Sequence, residues 1–146
     1  MQRVDWDTYF MRIASDISTR STCHRRAIGA VIVNDSREIV STGYNGNPRG
    51  QRHCSEIGCI REKLGIPSGE KSEVCTAVHA EQNALIQAGR GSRGSTMYVT
   101  VMPCNTCAKM IVNAGIKRVV YRDEYPEQMG ISLLRELGVE VVRAAQ

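Results

Sequence analysis

Apolar residues recur at Trp6, Tyr9, Phe10, Ile13 and Ile17, the spacing of one buried face on a helix. Asp5 precedes them as a candidate N-cap, so the pattern predicts a helix from residue 5 to about 20. The period then shortens. Residues 28–33 and 38–43 are β-rich runs on either side of the polar turn Asn34-Asp35-Ser36-Arg37, which predicts a hairpin. Gly43-Tyr44-Asn45-Gly46-Asn47-Pro48 then breaks regular structure with residues that favour turns.

From Arg49 to Thr76 cysteine, glycine, proline and charge are intermixed, with room for one short helix near Glu56 to Leu64. A stretch this long with little pattern is usually functional, or held by something other than a core. Regularity returns after it. Helices are predicted from His79 to Gly89, from Cys104 to Ala114 with Gly115 as its stop, and from Glu127 to Leu137. Strands are predicted from Thr96 to Val101, Lys117 to Tyr121 and Val139 to Val142. This alternation is that of a sheet with parallel strand pairs covered by helices. With no internal repeat or linker, residues 1–146 read as a single α/β domain with a cysteine-containing insert at about 49–76.

Composition adds limits. The 146 residues suit one core, and 42% hydrophobic with 23% charged residues is ordinary for a globular chain. A formal net charge of +4 is too small to argue for a nucleic-acid coat, and suits a small anionic substrate equally well. The opening MQRVDWDTYFMRIASDI holds polar residues throughout and no apolar h-region, and no stretch is long and apolar enough to span a bilayer. A soluble, cytoplasmic protein is expected. In that setting six cysteines point to metal binding rather than to disulfides.

His79-Ala80-Glu81 and Pro103-Cys104-Asn105-Thr106-Cys107 are the candidates for that metal chemistry. A histidine with a C-x-x-C pair closes three corners of a zinc tetrahedron and leaves the fourth to water. Cys104 and Cys107 sit three apart at a predicted helix start, where both thiols face one way and the helix N-terminus favours thiolate. Pro103 suits the start of that helix. Zinc can lower the pKa of bound water to about 7. Glu81, on the turn that carries His79, is placed to take that proton and return protons to a ring nitrogen and a departing amine. Backbone N–H groups near Ala80 and Cys104 are free to hold a carbonyl oxygen of the base. A lone C-x-x-C is more often a structural zinc or redox pair, and H-x-E alone says little. Together, each opening a predicted helix, they match H-x-E…P-C-x-x-C, the signature of zinc nucleobase deaminases.

The surrounding segments extend the match. Gly29-Ala30-Val31-Ile32, Ser41-Thr42-Gly43-Tyr44-Asn45-Gly46, His79-Ala80-Glu81-Gln82-Asn83-Ala84, Thr96-Met97-Tyr98-Val99, Pro103 to Lys109 and Ala114 to Tyr121 resemble the deoxycytidylate (dCMP) deaminase family of the cytidine deaminase superfamily. The resemblance runs from about Trp6 to Val142. It implies a three-layer fold with a central five-stranded mixed sheet flanked by helices. It also implies hydrolysis of dCMP to dUMP and ammonia in dTTP supply, with dCTP as activator and dTTP as inhibitor, in a homo-oligomer, commonly a hexamer. By the same resemblance Asn45 hydrogen-bonds the sugar, Tyr125 lines the pocket near base and sugar, and Asn47 is a further pocket residue. A 5′-phosphate needs cations or N–H donors. Arg25, Arg26, Arg49 and Arg52 are available, and nothing in the sequence chooses among them.

Cys23, Cys54, Cys59 and Cys75 remain. Four thiolates with no open position make a structural zinc site, and such a site contributes folding free energy directly. His24 and His53 adjoin two of these cysteines and can replace one; disulfides or free buried thiols are the alternative. The resemblance supports a second zinc on the same four cysteines. Two rival functions stay open from the residues alone. One is a tRNA adenosine deaminase, or a deaminase of another nucleobase or nucleoside. The other is a zinc-stabilised nucleotide-binding module without turnover, which the presence of Glu81 disfavours.

Overall fold

The computed structural model describes residues 2–23, 25–67, 70–71 and 74–145. In chain order it runs α1 (Trp6–Ser18), β1 (Gly29–Val33), β2 (Ile39–Tyr44), α2 (Cys54–Ile57) and α3 (Ile60–Lys63). It continues with α4 (Ala80–Ala88), a 3₁₀ turn at Gly89–Ser92, β3 (Thr96–Val101), α5 (Asn105–Ala114), β4 (Arg118–Asp123), α6 (Met129–Glu136) and β5 (Glu140–Arg143). The five strands form one mixed sheet in the order β2-β1-β3-β4-β5. β1 is antiparallel to both of its neighbours, whereas β3, β4 and β5 run parallel.

Strand alternation sorts the core into two layers. Ala30 and Ile32 of β1, Met97 and Val99 of β3, and Val119 and Tyr121 of β4 face α4, α5 and α6. Val31, Val33, Tyr98 and Val120 point the other way, onto Phe10, Met11 and Ala14 of α1. β1 is therefore buried on both faces, which is why Gly-Ala-Val-Ile-Val reads as an unbroken apolar run. β2 lies at the edge and alternates between buried and exposed positions. The result is the expected three-layer α/β architecture with a five-stranded mixed sheet.

Differences from the predicted elements have local causes. β4 extends two residues past Tyr121 because Asp123 still pairs with Val101 of β3. The single helix foreseen near residues 56–64 is two four-residue turns, α2 and α3, interrupted at Gly58 and Cys59. The 3₁₀ turn at Gly89–Ser92 was not expected. Among the described residues, no helix is long and apolar enough to cross a membrane.

Two contacts lock the layers in register. Gly43 of β2 lies against the backbone of α4, where an added Cβ would collide with the Ala80 carbonyl oxygen and the Ala84 amide nitrogen. Around it Ser41 Oγ donates to the Ala84 carbonyl (2.8 Å), Asn83 Nδ2 to the Tyr44 carbonyl (2.8 Å), and the Thr42 N–H to Gln87 Oε1 (2.8 Å). On the opposite face Asp5 caps α1, its Oδ1 accepting from the Thr8 N–H at 2.8 Å. Asp7, in the first turn, accepts a forked pair from Arg118 of β4 (2.9 and 2.7 Å) and a third bond from the Tyr98 hydroxyl of β3 (2.7 Å). Arg118 also pairs with Glu140 of β5 at 2.6 Å, so one guanidinium ties α1 to two strands.

Arg118 holds the Asp7 carboxyl below its ordinary value of 3.8, even though partial burial works the other way. A carboxylate with a lowered folded pKa stabilises the fold above its unfolded pKa, and that contribution is lost as pH falls through the folded value. Asp7→Asn is therefore expected to lower the melting temperature at pH 7, with the gap from wild type closing below pH 4. Thermal melts across pH 2.5–7 check this; a gap that persists at the lowest pH would assign the loss to packing instead.

Candidate active site and metal centre

Both candidate motifs lie at helix starts on the same side of the sheet. His79 is the N-cap of α4, with extended backbone (φ −71, ψ 155), and its N–H donates to Gln82 Oε1 at 2.8 Å. The preceding residue, Val78, forms a two-bond bridge with Gly46 (2.8 and 3.1 Å), which fixes where the chain enters α4. Cys104 is the N-cap of α5, again extended (φ −74, ψ 171), and follows the fully buried Pro103. α6 presses on this corner through Gly130, where any side chain would strike the Pro103 carbonyl oxygen and the Cys104 carbonyl group. The ligand-bearing backbone is thus clamped from both sides.

His79 Nδ1 lies 3.2 Å from Cys107 Sγ and 3.6 Å from Cys104 Sγ, and all three donor atoms fall within 4.8 Å of one another. In a tetrahedron with Zn–N of about 2.0 Å and Zn–S of about 2.3 Å, the N···S edge is about 3.5 Å, so this triangle fits a zinc ion. Among the described residues it is the one group of three or more such donors brought this close. The two thiols are unequal without a cation. A hydrogen bond from Cys107, helped by His79, lowers the Cys104 thiol to about 4. The same bond to Cys104, with burial, pushes Cys107 up. A divalent cation is the group that can hold both as thiolates.

Glu81, in the first turn of α4, is only 4% exposed. Burial pushes its carboxyl up to about 7, against the pull of the neighbouring His79 charge. It opens onto a cleft of about 460 Å³ that also receives His79 and Cys104. A cleft of this size takes a nucleotide-sized ligand.

The other predicted residues divide. Tyr125 lines the cleft, half-buried, with the Arg26 guanidinium 5.7 Å from its ring centre. Asn45 lines it too, but its amide is mostly engaged. Oδ1 accepts from Ser21 Oγ (2.6 Å) and the Ile28 N–H (2.9 Å), and Nδ2 donates to the Arg26 carbonyl (2.7 Å), leaving one amide proton. Ala80 is fully buried as the first residue of α4 and is not part of the cleft wall. Asn47 is not part of the cleft wall. It ties down the insert instead, donating to the Arg52 carbonyl (2.7 Å) and accepting from Thr76 Oγ1 (2.8 Å). Arg25 and Arg26 reach the cleft; Arg49 and Arg52 are exposed and do not, and Arg52 pairs with Glu56 at 3.4 Å. Arg61 of α3 also lines the cleft. Sequence reasoning missed it, since a basic residue in an irregular insert carries no periodic signal.

The four surplus cysteines are not gathered as one compact group. Cys54 is buried, and burial raises its thiol pKa, with Cys23 and Cys75 adding to the rise through charge. Cys59 turns toward Arg25, whose Nη1 is 4.0 Å from its sulfur. His53 caps α2 without a side-chain bond, and His24 lies outside the described residues.

Comparison with known proteins agrees with this geometry. Residues 4–123 match the family model for the cytidine and deoxycytidylate deaminase zinc-binding region. The chain belongs to the cytidine and deoxycytidylate deaminase family. It is 42% identical over 142 residues to deoxycytidylate deaminase of Schizosaccharomyces pombe, covering 95% of this chain and 44% of that relative. It is 45% identical over 130 residues to deoxycytidylate deaminase of Mycobacterium phage D29, covering 85% and 99%. The crystal structure of dCMP deaminase from the cyanophage S-TIM5 in complex with dCMP and dUMP superposes with a TM-score of 0.80 at 34% identity, over 99% of this chain and all of that one. The chain therefore spans less than half of its yeast relative and nearly all of its phage relatives.

The purified protein is expected to carry zinc, and His79→Ala or Cys107→Ala to lose it, with Glu81→Gln retaining it. Metal analysis by plasma mass spectrometry after gel filtration reads this directly. Full zinc retention in both ligand variants would refute the assignment.

Proposed function

We propose that this chain is a single zinc-dependent dCMP deaminase domain that converts dCMP and water to dUMP and ammonia. The observation that carries the reading is Glu81: a buried carboxyl beside a zinc-sized His–Cys–Cys triangle, open to a cleft that also holds arginine and tyrosine side chains. Zinc held by His79, Cys104 and Cys107 would supply a water that ionises near neutral pH. Glu81 takes a proton from the attacking water, passes one to the ring nitrogen beside the reacting carbon, and delivers the last to the departing amine. The first backbone N–H groups of α4, starting at Ala80, have no partner within the helix and face the substrate's carbonyl oxygen. Tyr125 lies along the base and sugar, and the remaining amide proton of Asn45 is available to the sugar.

The finer parts of the proposal rest on the family resemblance: dTTP supply in the cytoplasm, activation by dCTP, inhibition by dTTP, and a homo-oligomer, commonly a hexamer. A second, structural zinc belongs with them. Cys23, Cys54, Cys59 and Cys75 would hold it, with His24 or His53 able to replace one of them.

Purified protein is expected to release ammonia from dCMP and to leave deoxycytidine and adenosine largely untouched, as followed by ultraviolet absorbance. Glu81→Gln should cut turnover by about 10²–10⁴-fold with zinc retained. No turnover of dCMP by zinc-loaded protein, with dCTP added, would overturn the reading. For the second metal, two zinc ions per chain are expected. Cys54→Ser should keep one of them and most of the dCMP turnover, but melt at a lower temperature. One zinc in the wild-type protein would remove that part of the proposal.

A further inference from the structure

Three arginines line the cleft, and their circumstances differ. Arg25 is committed to the protein: its side chain is 12% exposed, Nε lies 3.7 Å from a Glu62 carboxylate oxygen, and Nη1 donates to the Ile66 carbonyl at 3.4 Å. It braces the loop before β1 against the insert. Arg26 is exposed and has its guanidinium over the Tyr125 ring. Arg61, on α3 of the insert, matches neither. Among the described residues its Nε is buried with no hydrogen-bond partner, and the side chain forms no ion pair.

A buried donor on a charged group is costly to leave unpaired, so native structures pair such groups with protein, water or ligand. Among the described residues, neither carboxylate lining the cleft forms an ion pair with Arg61. Glu81 is the buried acid beside the metal ligands, and Glu127 accepts from the Met129 N–H at the start of α6. The cleft therefore presents a guanidinium with a buried, unpaired Nε on the wall built by residues 49–76.

We propose that Arg61 reads the 5′-phosphate of the nucleotide, which makes the insert the element that distinguishes a nucleotide from its nucleoside. This rests on the dCMP reading above and adds to it a residue and a role for the insert. A guanidinium matches phosphate with two parallel hydrogen bonds, a geometry that lysine does not reproduce. A site built to bond a group rejects the analogue lacking it, because its own polar atoms are then left dry.

The test is calorimetric binding of dUMP and deoxyuridine to zinc-loaded wild-type, Arg61→Gln and Arg61→Lys proteins. Wild type is expected to prefer dUMP by at least about tenfold, a range typical of hydrogen bonds to charged groups. Arg61→Gln should weaken dUMP by about 10- to 100-fold and leave deoxyuridine within about twofold, with Arg61→Lys intermediate. Equal weakening of both ligands, no change in either, or no preference for dUMP in wild type would overturn the proposal. Circular dichroism reports folding. If Arg61→Gln is unfolded, Arg61→Lys decides, by losing several-fold for dUMP alone or by losing nothing. Failure of the deaminase reading shows separately, as absence of ammonia release from dCMP by wild type, since binding needs no turnover.

Discussion

The approach of two helix starts, α4 at His79 and α5 at Cys104, is the contact on which the site depends. Three donor atoms from segments 25 and 28 residues apart must stand within about one metal bond length of a common point. Soft side-chain rotation does not achieve that alone, so the backbone is held. Val78 is bridged to Gly46, α4 lies against the bare backbone of Gly43, and Gly130 lets α6 press directly on the Pro103–Cys104 corner. Each support removes a direction in which a ligand could drift. Preorganisation of this kind is what a metal site requires, because ligands left mobile lose affinity to the entropy of ordering them.

Charge in the cleft is arranged around the same point. The buried carboxyl of Glu81 is raised, the Cys104 thiol is lowered, and cations stand on the walls. A proton carrier near neutrality and a thiol ready to ionise thus line one cleft. The insert is part of this arrangement rather than a cover over it. Arg25 and Asn47 fasten it to the sheet side, and Arg61 faces the cleft from it. Its lack of periodicity reflects support by side-chain bonds in place of an apolar core.

Most of the fold was legible because burial imposes periods on a sequence. Trp6 to Ile17 repeats at helical spacing, and the apolar runs of β1 and β3 are those of strands covered on both faces. His79, Glu81, Cys104 and Cys107 were equally readable, since a metal constrains residue type and short spacing within each helix start. Asn45 and Asn47 were harder. Both lie in a turn whose composition is visible, yet the direction of each amide depends on partners far along the chain, such as Ser21 and Thr76.

The sequence by itself determined the period of each element, the ligand types and the presence of an unpatterned insert, because these are local properties of the chain. Tertiary structure alone decided the strand order β2-β1-β3-β4-β5, the approach of Cys59 to Arg25, and the presence of Arg61 rather than Arg49 or Arg52 on the cleft wall. Those outcomes depend on distances across the fold. A surface arginine and a cleft arginine look alike in sequence, and only packing determines which of them lines the cleft.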